Sequence, residues 1–468
     1  MRRVAALTLL MAGAGCAYYN GMYNANRLAR EAEKAEREGR AFQSDGLWAQ
    51  AAVRAESVLV RHPGSKWADD AMLLRGKAYK KRNDCPSAIP SLQDAIFSSR
   101  DSALVTEAAL LLGECYVEVG NYVAADAALR RAYGTEDSLI LSRVRRTHAK
   151  ALTLAGSYGE ALGLYRDIED STADGIRLQA LAGGGSLAHA AALADSLLVR
   201  RDSTVQWDSV LAVTGRRDPE AASALTDRLL REPELQPQVR ARWLLGDGMR
   251  LAQVDTVRAT QRLQAASSVG DQRTPSGSQA RLMLARLALA QVGEVGQLEA
   301  LQPMLVEFQE LGGAGGFEAG RLLAAVERVR QTADSVGPDT PQGDLEWFLA
   351  AETARDLLQA PALASGLFLR LAETWPSSPY AAKALLALAD LQPALAPALR
   401  QLLISGYRES PYVAAISGTD DPSYRVLEDS LKSFTASRVG SRPDRTRPGQ
   451  PDRPRPDQDR RLGEDDVQ

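Results

Sequence analysis

Small and apolar positions recur periodically over about residues 31–170. Four small residues mark the period, since Gly39, Gly76, Gly113 and Ala149 are separated by 37, 37 and 36 positions. Within each copy, apolar residues recur at helical spacing, and a turn divides the copy in two. Because positions three and four residues apart share one face of a helix, each copy predicts two short helices joined by a turn.

The side chains near the small positions indicate how such a pair of helices packs. A glycine lets two helices approach closely, and Tyr79 and Tyr116, each three residues after a glycine, lie on the same face and fill the neighbouring gap. We therefore predict that Gly76, Tyr79, Gly113, Tyr116 and Ala125 are structural anchors of the repeat. The pattern resembles the tetratricopeptide repeat, which combines a small residue and an aromatic on the first helix with a small residue on the second.

The joints between the repeats carry a second resemblance. Residues 61–68 read Arg-His-Pro-Gly-Ser-Lys-Trp-Ala, and similar joints recur at 375–381 and 407–412. They resemble the Tyr-Pro-x-Ser-x-Tyr-Ala joint of the outer-membrane barrel-assembly lipoprotein family and of the periplasmic proteins that coordinate the Tol-Pal system. The resemblance covers about residues 31–170 and 343–415.

The middle of the chain is less regular. Residues 312–316 are glycine-rich and follow a helical run, so we interpret them as a linker. We interpret the whole of residues 173–340 as degenerate repeat units, with a separate helical domain as the alternative. The stretches predicted to be helical are 188–199, 219–231, 239–252, 279–292 and 320–333.

The predicted fold is all-α, a right-handed superhelical solenoid of tetratricopeptide-like helical hairpins followed by a disordered C-terminal tail. The tail alternates Arg with Asp, is rich in Pro and has almost no apolar residue to bury. The predicted domains are a signal peptide at 1–15, N-terminal repeats at 16–172, degenerate helical repeats at 173–340, C-terminal repeats at 341–435 and the tail at 436–468.

The first residues of the chain differ from everything that follows. Residues 1–15 combine two early arginines, an apolar run too short to span a bilayer and three small residues directly before Cys16. This layout resembles a bacterial lipoprotein signal, which implies that Cys16 is acylated and anchors the chain in the outer membrane, facing the periplasm. Ordinary cleavage, giving a soluble periplasmic protein, is the alternative.

Composition and motifs give little support for catalysis. The net charge is -3, so no basic surplus predicts nucleic-acid binding. The three histidines lie in different repeats, and no metal-ligand spacing, phosphate loop or nucleophile motif is present. We therefore expect no enzyme activity and no cofactor. In an oxidising compartment Cys85 and Cys115 form either a disulfide or two buried thiols, and the sequence leaves both open.

The predicted binding surface lies along the first helices of the repeats. The family resemblance implies that residues at fixed offsets from each small anchor line a groove, which would alternate between basic and acidic repeats and suit a peptide of mixed charge. Solvated helix faces without a partner are the alternative. The charged groove residues are Lys77, Lys80, Lys81, Glu114, Glu118, Arg143, Arg146 and Lys150.

Together these features predict a lipid-anchored, periplasm-facing scaffold that binds other proteins. The family resemblance implies partners among cell-envelope or outer-membrane assembly components. A coordinator of the Tol-Pal type is one alternative. A peptidoglycan-acting enzyme with a helical-repeat body is an alternative of another class.

Overall fold

A computed structural model describes residues 21–440 apart from 169, 270–273, 417 and 419–420, and gives only the backbone of 416 and 433–440. Cys16, the predicted signal peptide and residues 441–468 of the predicted tail lie outside the described residues. No strand occurs within the described part of the chain, whose regular structure is helical. This confirms the all-α fold class.

The chain divides into two compact units between Leu284 and Ala285. In the first unit, helices follow one another as antiparallel pairs, and several first helices also contact the first helix of a neighbouring pair, for example α3 with α5 and α5 with α7. The helices are α1 (21–37), α2 (Ala41–Arg61), α3 (Ala68–Lys81), α4 (Cys85–Ser98), α5 (Ser102–Glu118), α6 (Tyr122–Arg131), α7 (Ser138–Ala155), α8 (Tyr158–Tyr165), α9 (Asp174–Gly183), α10 (Leu187–Val199), α11 (Trp207–Arg217), α12 (Pro219–Leu229), α13 (Pro237–Leu251) and α14 (Thr256–Ser268).

The second unit continues the all-helical pattern. Helix α15 (Pro275–Ala290) runs across the division between the units, and a π-helical turn at Thr353–Leu357 follows α18. Consecutive helices again pack together, with α18 on α19 and α19 on α20. The remaining helices are α16 (Gln302–Glu310), α17 (Gly313–Ser335), α18 (Gly343–Glu352), α19 (Pro361–Thr374), α20 (Pro379–Leu391), α21 (Ala396–Gly406), α22 (Pro411–Ile416) and α23 (Pro422–Gly440).

Polar residues start several of these helices, and a glycine ends α7. The side chains of Asp84, Asp101 and Asp137 accept hydrogen bonds from backbone N–H groups at the starts of α4, α5 and α7, and Asn121 does the same for α6. Such caps satisfy donors that have no partner within the helix. Gly156 ends α7 with a left-handed φ of 85°. Glycine adopts this backbone conformation without a steric penalty.

Glycines hold the paired helices at close range. A Cβ atom added to Gly113 would lie 2.4 Å from Cγ of Leu129, and one added to Gly76 would lie 2.6 Å from Leu92. Both leucines are fully buried. Of the other predicted anchors, Ala125 is fully buried in the same core as Leu129. The tyrosines lie at the edges of the cores that these residues form.

The middle of the chain uses the same packing. A Cβ atom on Gly248, in α13, would lie 2.7 Å from Cγ of Leu263, in α14. Thus a glycine on a first helix again faces a leucine on the second. The sequence pattern did not reveal this pair, because Leu251 rather than an aromatic residue stands three positions after Gly248.

Two segments differ from the sequence-based assignment. Residues 313–316 form the first turn of α17 and are not a linker. A Cβ atom on Gly316 would lie 2.9 Å from the carbonyl oxygen of Gln309, so glycine permits this close approach of α17 to the end of α16. Helix α23 continues to Gly440 and therefore includes residues 436–440, which were assigned to the tail.

A disulfide joins Cys85 and Cys115, whose Cα atoms are 5.1 Å apart. Cys85 is the first residue of α4, and α5 ends at Glu118, three residues after Cys115. The two cysteines therefore lie near the same end of an antiparallel pair, where the ends of α4 and α5 meet. The sequence left a disulfide and two buried thiols open, because the end of α5 could not be located from the pattern alone.

Candidate protein-binding surface

The first helices of unit 1 are linked by charged side chains. Lys80 of α3 contacts Glu114 of α5 at 2.6 Å, and Arg143 of α7 donates from Nε and Nη2 to the two oxygens of the same carboxylate at 2.6 and 2.7 Å. Three consecutive first helices thus share one carboxylate. We call Lys80, Glu114 and Arg143 the charge ladder.

Glu114 is the centre of this ladder, and its side chain is only 13% exposed. Burial alone would raise the pKa of the Glu114 carboxyl, but hydrogen bonds from Arg143 and Lys80, together with their positive charges, outweigh burial and lower the pKa. The carboxylate is therefore held in its charged form by two partners on neighbouring helices.

The other predicted groove lysines pair with different helices. Lys77 lies 3.1 Å from Glu33 of α1 and 3.6 Å from Glu107 of α5. Lys81 lies 2.7 Å from Glu36 of α1. Lys77 and Lys80 thus contact acidic residues of the next first helix, whereas the acidic partner of Lys81 lies on α1.

The remaining groove positions are dispersed. Arg146 contacts Asp170, just before α9, at 2.5 Å. Glu118 and Lys150 are exposed, and Glu118 lies beside Cys85 rather than opposite a lysine. The predicted alternation of charge is therefore present, but its main members neutralise one another within the protein. A partner would have to break these pairs before it could use them.

An open cleft between α1 and α3 offers a different kind of surface. It has a volume of about 420 Å³, which is within the usual range of ligand and side-chain pockets. Apolar and charged groups line it together, on the side of the hairpins formed by first helices. The lining residues are Met22, Tyr23, Asn26, Ala29, Arg30, Glu33, Trp67, Leu74 and Lys77.

The rim of this cleft carries exposed side chains. Tyr23, Asn26 and Arg30 are exposed and follow one another at helical spacing along α1, while Met22 and Ala29 on the neighbouring face are buried. No carboxylate among the described residues pairs with Arg30. An aromatic ring and an unpaired guanidinium beside an apolar floor are typical of the centre of a protein interface.

The sequence pattern did not reveal this cleft. Residues 25–40 are rich in charged side chains. The sequence does not show that Tyr23 and Arg30 lie on one surface, because the segment that packs beside them is distant in the chain. The cleft exists only because Trp67 and Leu74 of the next hairpin close its other side.

Two buried polar clusters are structural features. His148 lies 2.9 Å from the Tyr133 hydroxyl through Nδ1 and 2.6 Å from Asp126 through Nε2. The carboxylate can only accept, so Nε2–H donates to it, and in the neutral ring Nδ1 accepts from Tyr133. The Tyr133 hydroxyl and the Asp126 carboxylate are thus both hydrogen-bonded to the imidazole ring.

The second cluster surrounds Asp247 of α13, whose side chain is 0% exposed. Ser223 donates to its carboxylate at 2.9 Å, Arg262 contacts it through Nε at 2.9 Å, and Arg250 lies at 3.4 Å. Burial lowers the pKa of Arg250, and the charge of Asp247 opposes this effect. The cluster ties α12, α13 and α14 together.

Within the described residues, no group of three His, Cys, Asp or Glu side chains is arranged to hold a metal ion. Nor does any helix in that part of the chain combine the length and apolar character needed to cross a bilayer.

No protein-family profile matches the chain, and no curated protein matches it. Among solved structures, a chain from the structure described as "Naa15/Naa10 bound to HypK-THB" is similar, with a TM-score of 0.19 and 14% sequence identity. The match covers 78% of this chain and 65% of that chain, so this chain spans less than two thirds of its length. The helical-repeat assignment rests on the paired helices and their contacts described above.

Proposed function

We propose that the protein is a scaffold that binds other proteins through the first-helix face of its hairpins, with the cleft between α1 and α3 as the main contact. The observation that carries this proposal is the cleft itself. It joins an apolar floor to the exposed Tyr23 and to Arg30, whereas the neighbouring charges of the ladder are already paired. We propose no catalytic role.

The proposed site of action is the periplasmic face of the outer membrane, with an acylated Cys16 as the anchor. The layout of residues 1–16 supports export. The Cys85–Cys115 disulfide supports it independently, because such bonds persist in oxidising compartments and are rare in the bacterial cytoplasm. The resemblance of the joints to barrel-assembly lipoproteins suggests a role in outer-membrane protein assembly.

Site-specific crosslinking tests the binding surface. A photo-crosslinking amino acid at Asn26, inside the cleft, should capture a partner in the native envelope, and Arg30→Glu should reduce that capture. The matched control places the crosslinker at Arg54, an exposed position of α2 outside the cleft lining, and uses Arg54→Glu as the control charge reversal. Equal capture from Asn26 and Arg54, or capture that Arg30→Glu leaves unchanged, would contradict the proposed surface.

The captured partner also separates the proposed roles. Components of the barrel-assembly machinery would support outer-membrane protein assembly, whereas Tol-Pal components would support a coordinator of that type. A zymogram with the purified full chain addresses the enzyme alternative, since clearing of peptidoglycan would exclude a purely binding function.

Anchoring is tested separately from binding. Replacing Cys16 with Ser should move the protein from the membrane fraction to the soluble periplasmic fraction. A Cys16→Ser variant that remains with the membrane as completely as the unchanged protein would disprove lipidation at this residue.

A further inference from the structure

The last described helix, α23, packs against α20 and α22 of unit 2. Glu428 of α23 contacts Lys383 of α20 at 2.6 Å, and the Tyr424 ring meets the Tyr412 ring of α22 edge-on at 5.6 Å between centroids. Leu431, one turn further along α23, is only 5% exposed. Residues 424, 428 and 431 thus form one stripe of the helix that faces the rest of unit 2.

Lys383 is the centre of the surface under this stripe. Its Nζ lies 5.2 Å from the ring centroid of Phe348 in α18 and 5.4 Å from that of Tyr412 in α22. A cation between two aromatic rings is stabilised by both. Three successive first helices, α18, α20 and α22, therefore contribute to one surface, which presents a cation and an aromatic ring to the glutamate and tyrosine of α23.

The contacts of Lys383 place it where the first helices of unit 2 meet. Its partners lie on α18, α22 and α23, so the charged end of its side chain lies among three neighbouring helices. Helix α23 therefore covers part of the surface that α18, α20 and α22 share.

Few of the described side chains of α23 are buried. Of its described side chains, 422–432, only Leu431 is buried, while Leu427 and Glu428 are half-buried and Val426 is 69% exposed. Glu352 of α18 is a second carboxylate near this surface, and Arg355 contacts it at 3.5 Å. Burial raises the pKa of Glu352, and the nearby negative charge of Glu428 acts in the same direction.

We propose that the face formed by α18, α20 and α22 is a helix-binding site and that α23 is its intramolecular occupant. The partner that displaces α23 is an amphipathic helix with an aromatic residue, a glutamate and a leucine at positions i, i+4 and i+7, as in Tyr424, Glu428 and Leu431. Such a stripe fits a helix-in-groove mode of binding. The identity of the displacing partner rests on the binding function proposed above, whereas the release of α23 is measured without any partner.

Two matched substitutions on α23 of the full chain test the proposal. Leu431→Asp puts a charge at the buried position, and Val426→Asp makes the same change at an exposed position of the same helix. Amide hydrogen exchange over residues 423–431 should accelerate about tenfold or more in Leu431→Asp, because local opening becomes easier, and should stay unchanged in Val426→Asp. Glu428→Gln keeps the apolar contact and loses the charge, so it should give a smaller acceleration.

A labelled peptide of residues 421–440 then probes the vacated site. It should bind the Leu431→Asp full chain about tenfold or more tightly than the unchanged chain, in which the tethered α23 competes at high effective concentration. The same peptide carrying Leu431→Asp should bind neither. Equal exchange in the two aspartate variants would overturn the proposal, and so would faster exchange without peptide binding, since α23 would then be a structural cap only. Loss of partner crosslinking at Asn26 is a separate result that concerns unit 1.

Discussion

The α5/α6 hairpin and the α13/α14 hairpin are packed by the same contact but use charge differently. In each, a glycine on the first helix faces a buried leucine on the second, Gly113 with Leu129 and Gly248 with Leu263. Around Glu114, the charges run over partly exposed surface from one first helix to the next. Around Asp247, they are enclosed between helices.

The difference teaches that close packing and charge pairing are separate sources of stability in this fold. Exposed ion pairs contribute about 0–1 kcal/mol each, because water and salt screen them. Removing one partner of a buried pair costs about 3–5 kcal/mol, because the other charge is left without compensation. The two hairpins should therefore respond alike to changes at glycine and differently to changes at charge.

The largest expected effect is at Asp247. Asp247→Ala should lower the free energy of unfolding by about 3–5 kcal/mol, because Arg250 and Arg262 lose their buried counter-charge. Urea denaturation measures this loss. Asp227→Ala, which removes the half-exposed partner of Arg262, serves as the control and should cost about 1 kcal/mol or less. Equal losses of stability in the two variants would remove the distinction between buried and exposed ion pairs.

The disulfide is expected to have the next largest effect. Replacing both Cys85 and Cys115 with Ser should lower the free energy of unfolding by about 2–4 kcal/mol, because the bond closes a loop across 30 positions in the unfolded chain. Reducing the unchanged protein should lower its stability to that of the double variant. A reductant that leaves the melting temperature unchanged would disprove the contribution of the bond.

The shared glycine contact predicts effects of intermediate size. Gly113→Ala and Gly248→Ala should each destabilise by about 1–2 kcal/mol, because the new methyl group overlaps a buried leucine and this outweighs the better helix propensity of Ala. Gly163 in α8 has no neighbour within 4 Å of an added Cβ, so Gly163→Ala should stabilise by up to about 1 kcal/mol. Thermal melts give the signs, and the same sign at all three glycines would contradict the packing scheme.

The smallest expected effect is the pH dependence of the charge ladder. The pKa of Glu114 is lower in the folded protein than in the unfolded chain, so its contribution is fully present above the unfolded pKa and is lost as the pH falls through the folded value. Glu114→Gln should therefore be less stable than the unchanged protein by about 1 kcal/mol at pH 7, and the difference should shrink on acidification. A difference that grows below pH 4 would contradict the ladder.

The hairpins of unit 1 could be predicted from sequence where packing depends on one residue. Gly76 and Gly113 are readable because a side chain at either position would overlap a buried leucine of the paired helix. Gly248 plays the same part but could not be found, because its neighbours do not repeat the aromatic position. The first turn of α17, residues 313–316, was wrongly assigned to a linker. In a sequence, a glycine that permits close contact between helices cannot be distinguished from a glycine that ends a helix.

The candidate surfaces were harder to predict than the fold. The alternation of charge along the first helices was visible in the sequence. The pairing of Glu114 with both Lys80 and Arg143 was not, because it depends on the conformations of long side chains. The cleft beside Tyr23 and the packing of α23 depend on contacts between separate segments. The order of these segments along the chain does not indicate which of their faces meet.

The contacts of unit 1 join mainly helices that are close in sequence. Such an arrangement has low contact order, so a hairpin can form on its nearest neighbours without waiting for distant parts of the chain. Opening should likewise begin at one hairpin and spread in steps. The Cys85–Cys115 bond changes this locally, because it fuses the hairpins α3/α4 and α5/α6 into one block. That block should be the last part of unit 1 to lose amide protection as denaturant is raised.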